Sequence, residues 1–200
     1  MAQLDHVAPA SAALLIMDVQ PSITAMVPDS DAFIGRLLRV REAARRAGMQ
    51  VAYVRVALTE EDAAHVPATN TQFFQSASTG RMRDGGPDVA VDPRIAPDDG
   101  EIVVRKSRVG ALSTTDLSRQ LRDAGIDTLV LSGIATSGVV LSTVRDAADQ
   151  DFRVVVLEDG CFDRDAEVHR VLTEKVFPRQ AAVVGIDAFI ALLETGSASE

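Results

Sequence analysis

The chain has 200 residues, of which 46% are hydrophobic and 24% are charged. This composition is typical of a globular protein and excludes a disordered, collagen-like or coiled-coil chain, while the length predicts a single domain. The formal net charge of −9 at pH 7 argues against a nucleic-acid partner and against an anionic membrane surface.

The cysteine count and the apolar runs exclude further classes of protein and site. Cys161 is the only cysteine, so it can form neither an internal disulfide nor a multi-thiolate metal site. No segment approaches the roughly 20 apolar residues that a membrane span needs. The first apolar run ends at Asp18 and has no basic region before it, so it lacks the features of a signal peptide. We therefore expect a cytoplasmic protein.

Short apolar segments, many of them rich in β-branched residues, recur along the chain. They lack strict alternation of polar and apolar residues and are therefore typical of parallel strands that are buried on both faces. The predicted strands cover residues 12–19, 51–58, 101–106, 128–134, 153–159 and 181–186.

The segments between these strands have the apolar spacing of helices. In residues 31–48, for example, Phe33, Leu37 and Val40 share one face, and Gly48 ends the pattern. Alternating strands and helices predict βαβ units with right-handed crossovers. We therefore expect a three-layer α/β/α domain with a mainly parallel six-stranded sheet. The predicted helices cover residues 31–48, 114–125, 137–149, 164–176 and 186–194.

Residues 59–100 break this alternation and are rich in proline, glycine, aspartate and threonine. We expect a long active-site loop here, because an irregular segment of this length in a compact domain is usually functional or disordered. Its Phe73, Phe74 and Arg81 are candidate substrate contacts. The two phenylalanines could equally pack the loop against the core.

Residues that could carry out chemistry stand at the carboxyl ends of the predicted strands, where ligands of open α/β sheets bind. Asp18 ends the first strand, Lys106 ends the third, and Gly133–Gly138 connects the fourth strand to a helix. A carboxylate, a lysine and helix N-terminal amides could therefore share one crevice and support proton transfer and oxyanion binding. The ordinary alternatives are a capping aspartate, a solvated lysine and a tight turn.

The sequence does not indicate a nucleotide or metal site. Val139-Val140 follows the glycine-containing turn, where a P-loop needs lysine and serine or threonine, and Ala135 stands where a dinucleotide motif needs glycine. The three histidines lack ligand spacing, and we interpret His169 as a surface or hydrogen-bonded residue of a helix. We expect neither a metal nor a cofactor.

Three motifs at these strand ends resemble those of the isochorismatase-like hydrolase superfamily, also called the cysteine hydrolases. LLIMDVQ is similar to the family's apolar strand that ends in Asp-x-Gln. KSRVGAL (106–112) is similar to Lys-x-x-x-Ser/Gly-Ala-Phe, and GIATSGVVLSTVRDA (133–147) to Gly-x-x-Thr-x-x-Cys-Val-x-x-Thr. Residues 157–169 look like the family's next strand and helix start, so the resemblance covers about residues 11–190.

The resemblance implies roles for individual residues. Asp18 matches the family's catalytic acid/base and Lys106 its lysine, while the Ile134–Ala135 bond matches a non-proline cis peptide that turns loop amides, including that of Ala135, toward an oxyanion site. The residues beside these motifs and in the long loop complete the expected substrate site. The expected substrate-binding set is Gln20, Phe73, Phe74, Arg81, Arg108, Ile134, Thr136 and Gly138.

The chain departs from the family at the nucleophile, because Val139 stands where the resemblance places a catalytic cysteine. Cys161 follows the next strand, where the family can carry a cysteine without a catalytic role, and a free cysteine is often a small buried hydrophobe. The isochorismatase subgroup also lacks the nucleophilic cysteine and has glycine there. Its reaction hydrolyses a vinyl ether with a general acid rather than a thiolate.

Three functions remain open at this point. The leading hypothesis is a metal-independent hydrolase of a small molecule that uses Asp18 as acid/base, with Lys106 positioning it or stabilising a substrate carboxylate. The second is a catalytically inactive small-molecule-binding or scaffold protein, and the third is an amidase that uses Cys161. The resemblance also implies a homo-oligomer, either a dimer or a tetramer.

Overall fold

The computed structural model describes residues 4–196. Six strands form one parallel sheet with the order β3-β2-β1-β4-β5-β6. The predicted three-layer α/β/α fold is therefore confirmed, with an all-parallel sheet. The strands are β1 Ala12–Met17, β2 Gln50–Val56, β3 Ile102–Lys106, β4 Thr128–Ile134, β5 Arg153–Phe162 and β6 Ala181–Val184.

Helices connect the strands and cover both faces of the sheet. The α-helices are α1 Pro21–Thr24, α2 Ser30–Arg46, α3 Glu60–Ala64, α4 Thr71–Ser78, α5 Leu117–Asp123, α6 Leu141–Asp149, α7 Ala166–Val171 and α8 Ile186–Gly196. Single π-helical turns, Thr136–Val140 and Leu172–Val176, lie directly before α6 and after α7. The 3-10 turns are Pro9–Ser11, Pro87–Val89, Pro93–Ile95 and Phe177–Arg179. None of the helices between residues 4 and 196 is long and apolar enough to cross a membrane.

Two apolar cores lie on opposite faces of the sheet. Every side chain of β1 and β4 is buried, and successive β1 residues enter alternate cores, as the two-residue period of a strand requires. Leu14 and Ile16 pack in the same core as α2 and α8, whereas Leu15 and Met17 pack in the core that includes α5 and α6. This double burial explains why β1 is an uninterrupted apolar run and why β4 is mostly apolar, with the buried Ser132 hydroxyl donating to the Leu15 carbonyl oxygen.

The segment predicted as a long loop, residues 59–100, contains α3, α4 and two 3-10 turns, so the expectation of an irregular loop was wrong in this respect. Both helices are only one to two turns long, and each begins at a capping side chain. Thr59 and Asp62 form a reciprocal capping box for α3, and Asn70 caps α4. Helices this short lack a long apolar period, and polar caps in a proline- and glycine-rich segment are also typical of turns.

Candidate active site

The candidate site lies where the strand order reverses, between β1 and β4. Asp18 follows β1, and the cis peptide bond Ile134–Ala135 ends β4. Crevices of this kind, outside the carboxyl ends of parallel strands, are the usual ligand site of open α/β sheets. The cis bond stands at the position that the resemblance implies.

Lys106 comes from β3, which is separated from β1 by β2. Two strand spacings amount to about 9.6 Å, a distance that the long lysine side chain and the aspartate can bridge together. The Lys106 Nζ lies 2.9 Å from Asp18 Oδ2, and both side chains are almost completely buried. The two predicted catalytic residues therefore form one buried ion pair.

The Lys106 ammonium has three N–H donors, and the protein provides an acceptor for each. Besides Asp18, Nζ donates to the carbonyl oxygens of Arg108 at 3.0 Å and Val109 at 2.9 Å. The geometry thus supports a lysine that positions Asp18. It does not support the alternative in which Lys106 binds a substrate carboxylate, because no donor remains.

The two oxygens of Asp18 have different environments. Oδ2 accepts from Lys106, whereas Oδ1 is buried and has no hydrogen-bond partner within residues 4–196. Burial raises the pKa of Asp18 from 3.8 to about 6, although the nearby Lys106 charge and hydrogen bond lower it. Because Oδ2 already faces an N–H donor, the proton of the acid form belongs on Oδ1. Asp18 can therefore exchange a proton near neutral pH.

A cavity of about 190 Å³ adjoins this ion pair. Apart from Asp18, Lys106 and Gln72, its lining consists of apolar side chains and the Gly138 backbone, which keep the dielectric constant around the carboxyl group low. Val139 is part of this lining, so the position implied for the nucleophile does face the cavity. The lining residues are Asp18, Ile23, Met26, Val56, Gln72, Phe73, Met82, Lys106, Val109, Ile134, Ala135, Gly138 and Val139.

Some of the expected substrate contacts lie beside the cavity rather than in its lining. The Gln20 amide is engaged with the backbone at Val56 and Val89, and Phe74 is 43% exposed on the outer side of α4. The Arg108 guanidinium lies 5.6 Å from the centre of the Phe73 ring, while the Thr136 hydroxyl bonds to His169. Gln20, Arg108 and Thr136 therefore support the residues around the cavity.

A larger outer cavity of about 700 Å³ adjoins the inner one, because Ile23, Met26 and Met82 line both. Arg81, another expected contact, lines the outer cavity together with Arg83 and Arg164. Arg83 is paired with Glu60, whereas no ion pair involves Arg81 or Arg164 within the described residues. A chain with a net charge of −9 thus presents three arginines and one acidic residue, Asp88, in the cavity beside its candidate site.

Cys161 does not line either cavity. It lies on β5 opposite Gly133 of β4, with 6% of its surface exposed. Burial raises the pKa of its thiol to about 12, so the reactive thiolate is scarce at neutral pH. This environment does not favour an amidase that uses Cys161.

Gly133 allows β4 to approach β1 closely just before the site. Its φ is +141°, and a Cβ atom built there would lie 2.1 Å from the Met17 carbonyl oxygen. Only glycine fits such an approach without moving backbone. The close contact sets Ile134 and Ala135 beside the end of β1, where Asp18 follows.

Sequence reasoning missed several residues of the site. No sequence feature marks Ile23, Met26 and Met82 as part of the site, because an isolated apolar residue looks the same in the sequence whether it lines a cavity or packs in a core. Asp163 was also missed, although it accepts a hydrogen bond from the Ser137 N–H at 2.8 Å. Its position shortly after a strand end was the available signal.

Comparison with known proteins supports the same assignment. The family described as the isochorismatase domain matches residues 12–188. An N-carbamoylsarcosine amidase of Arthrobacter sp. is 31% identical over 145 residues, which cover 72% of this chain and 55% of that protein. The ureidoacrylate amidohydrolase RutB of Variovorax paradoxus is 33% identical over 172 residues, which cover 74% and 67%. The chain thus spans only about half the length of the first of these relatives.

Solved structures agree in fold. A cysteine hydrolase of Pseudomonas syringae pv. phaseolicola superimposes with a TM-score of 0.84 at 21% identity, covering 94% of this chain and 95% of that chain. An N-carbamoylsarcosine amidase of Thermoplasma acidophilum gives a TM-score of 0.71 at 27% identity, covering 88% and 96%. With the match over residues 12–188 and the acid–lysine pair at the β1/β4 crevice, the chain belongs to the isochorismatase family.

Proposed function

We propose that this protein is a hydrolase of a small molecule in which Asp18 is the general acid/base and water is the nucleophile. The observation that carries the proposal is the asymmetry of the Asp18 carboxyl group. Lys106 holds Oδ2, while Oδ1 is buried without a partner among the described residues, and the pKa of the carboxyl group is about 6. Such a group can donate a proton in its acid form and take one back from water.

The substrate bond in this proposal is a vinyl ether or a related C–O or C–N bond. For a vinyl ether, Asp18 protonates the terminal alkene carbon, and the alkene electron pair forms the new C–H bond. Water attacks the resulting oxocarbenium carbon and returns a proton to Asp18. The hemiketal then releases an alcohol and leaves a ketone, so the whole reaction consumes one water molecule.

The Val139 side chain supports water rather than the protein as the nucleophile. Valine has no nucleophilic atom, and it lines the cavity at the position where the resemblance implies the family's cysteine. In the proposed site, the backbone amides around Ala135 and Val139 hold the oxyanion or the attacking water. Such amides are most effective in a cavity that excludes bulk water.

The arginines of the outer cavity favour a substrate with a negatively charged group. Arg81 and Arg164 line the outer cavity beside the one that contains Asp18, and a guanidinium can bind a carboxylate with two parallel hydrogen bonds. The substrate would place its charged end there and its reacting bond in the 190 Å³ inner cavity.

The test is a turnover screen with vinyl ethers such as isochorismate, with amides such as nicotinamide, and with carbamoylated amines, each in anionic and neutral forms. We expect turnover of an anionic substrate and a loss of at least about 100-fold in Asp18→Asn, with its fold checked by circular dichroism. Asp127→Asn is the matched control, because Asp127 directly precedes β4 and therefore lies at the end of the strand opposite to the site.

Unchanged turnover in Asp18→Asn would overturn the assignment. Saturable binding of one compound without turnover of any would instead support the small-molecule-binding alternative.

A further inference from the structure

Two side chains, Asp163 just after β5 and His169 on α7, hold the cavity-lining segment that follows β4. The Asp163 carboxylate accepts a hydrogen bond from the Ser137 N–H at 2.8 Å, and His169 Nδ1 lies 2.8 Å from Thr136 Oγ1. Thr136 and Ser137 stand between Ala135 and Gly138, which both line the inner cavity, whereas Asp163 and His169 do not line it. Any effect of these two side chains on the site therefore passes through the segment.

The segment needs such support because it cannot cap itself. The π-helical turn begins after Ala135, which has no polar side chain to accept from the free N–H groups of the turn. Within the turn Gly138 leaves helical geometry, with φ −99° and ψ −106°. Asp163 supplies the missing cap from another element, and a carboxylate is also the charge that a helix N-terminus favours.

The surroundings of Asp163 agree with this role. Burial raises the pKa of its carboxyl group, but the hydrogen bonds from Ser137 and from neighbouring backbone N–H groups outweigh burial and lower it overall. The ionised form, which is the better acceptor, is therefore the one that the segment binds.

His169 is fixed on its own helix as well as at Thr136. Its carbonyl oxygen accepts from the Thr173 hydroxyl at 2.9 Å, so the π-helical turn after α7 is tied to it. Thr136 is completely buried, and a buried hydroxyl without its partner is costly. The His169 contact thus holds the Thr136 side chain in one place.

We propose that Asp163 and His169 are positioning residues that fix the Ala135–Val139 segment for catalysis. Asp163 orients the backbone at Ser137, and His169 orients the side chain of Thr136. The consequence for turnover rests on the proposed function, because the amides of this segment hold the oxyanion or water there. The expected effect on the mobility of the segment does not depend on the proposed function.

The first experiment measures backbone amide hydrogen exchange in the full chain without substrate. Asp163→Ala and His169→Leu should each accelerate exchange at residues 136–140 by at least about tenfold, while the core strands β1 and β4 keep their protection. His6→Leu is the control, because His6 is exposed and precedes β1, on the amino-terminal side of the strands and away from the site. Unchanged exchange at residues 136–140, or uniformly faster exchange throughout the chain, would overturn the proposal.

The second experiment uses any substrate found in the turnover screen. His169→Leu should lower kcat by about 10–100-fold with KM within twofold, as expected for displaced groups that act in the transition state. His169→Asn, which keeps a polar group near the Nδ1 position, should restore most of the activity. Thr136→Val should cause a similar loss, and the double variant with His169→Leu should be no worse than either single variant.

Additive losses, or a His169→Leu effect no larger than that of His6→Leu, would overturn the role in catalysis. If the wild-type protein turned over no compound, the proposed function would fail, and the exchange experiment would still decide whether these residues hold the segment. If His169→Leu did not fold, Asp163→Ala and Thr136→Val would test the same loss of contact, with His169→Asn kept as the conservative control.

Discussion

The Lys106 ammonium reaches Asp18 across the end of an intervening strand, with Nζ 2.9 Å from Oδ2. Neither β1 nor β3 alone could form this pair, because β2 separates them by two strand spacings. The pair is buried against an apolar cavity, where Lys106 offsets part of the cost of burying the Asp18 carboxylate, and burial still has the larger effect on its pKa. The opposing influences on the Asp18 pKa, burial that raises it and Lys106 that lowers it, lead to the first two of four predictions.

Replacing Lys106 by methionine should raise the pKa of Asp18 further, because the stabilising charge is removed while burial remains. In the proposed reaction the protonated acid is the active form, so activity falls as the pH rises through the Asp18 pKa. The alkaline limb of kcat/KM should therefore move up by about one to three pH units. A pH–rate profile of both proteins measures this shift, and an unmoved or lowered limb would contradict the electrostatic role of Lys106.

The variant Asp18→Asn should be more stable than the wild type at pH 7. The folded pKa of about 6 lies above the usual aspartate value of 3.8, so the folded state binds a proton more tightly and the carboxyl group costs stability as the pH rises from about 4 to 6. The neutral amide avoids this cost, which amounts to at most about 3 kcal/mol. The advantage should shrink toward pH 4.

Urea unfolding at pH 7 and pH 4 measures this difference in the free energy of unfolding. Asp127→Asn, a substitution of the same chemistry at an exposed site, should show no comparable dependence on pH. A less stable Asp18→Asn at pH 7 would mean that the attraction to Lys106 outweighs the burial of the carboxylate.

The substitution Gly133→Ala should lower the free energy of unfolding by about 3 kcal/mol or more, because its Cβ would collide with the Met17 carbonyl oxygen and its φ is unfavourable for alanine. Gly35→Ala is the matched control, since Gly35 lies within α2 and has open space around its Cβ position. That control should gain up to about 1 kcal/mol from helix propensity. Chemical denaturation of both variants checks the pair, and equal effects would refute the close-approach explanation.

Thiol labelling can compare the reactivity of Cys161 with that of a cysteine placed in the cavity at position 139. In the wild-type protein, Cys161 should resist iodoacetamide under native conditions, because its thiol is buried and has a pKa of about 12. The variant Val139→Cys should be alkylated at residue 139 alone, as mass spectrometry of its peptides would show. It should also gain amide hydrolysis if the rest of the family's machinery is intact. Rapid labelling of Cys161 in the wild type would contradict this description of its environment.

The strand content was predictable because burial on both faces makes β1 entirely apolar and β4 mostly apolar, with Thr128 and Ser132 as its polar residues, and such runs are recognisable in the sequence. The short helices α3 and α4 were not predictable, since their formation depends on local caps and on Phe73 packing beneath them in a separate cluster with Val56 and Leu58. Local patterns contain no information about such distant contacts.

By itself the sequence determined the alternation of strands and helices, the family resemblance, and the residue types at Asp18, Lys106 and Val139. Only the tertiary structure decided that Lys106 donates to Asp18 and to two carbonyl groups, that Asp18 Oδ1 has no partner between residues 4 and 196, and that Cys161 is outside the cavity. Those properties depend on distances and solvent exclusion between segments far apart in the chain. The spacing of the motifs determines which side chains lie at the carboxyl ends of the strands, and packing determines which of their donors and acceptors are paired.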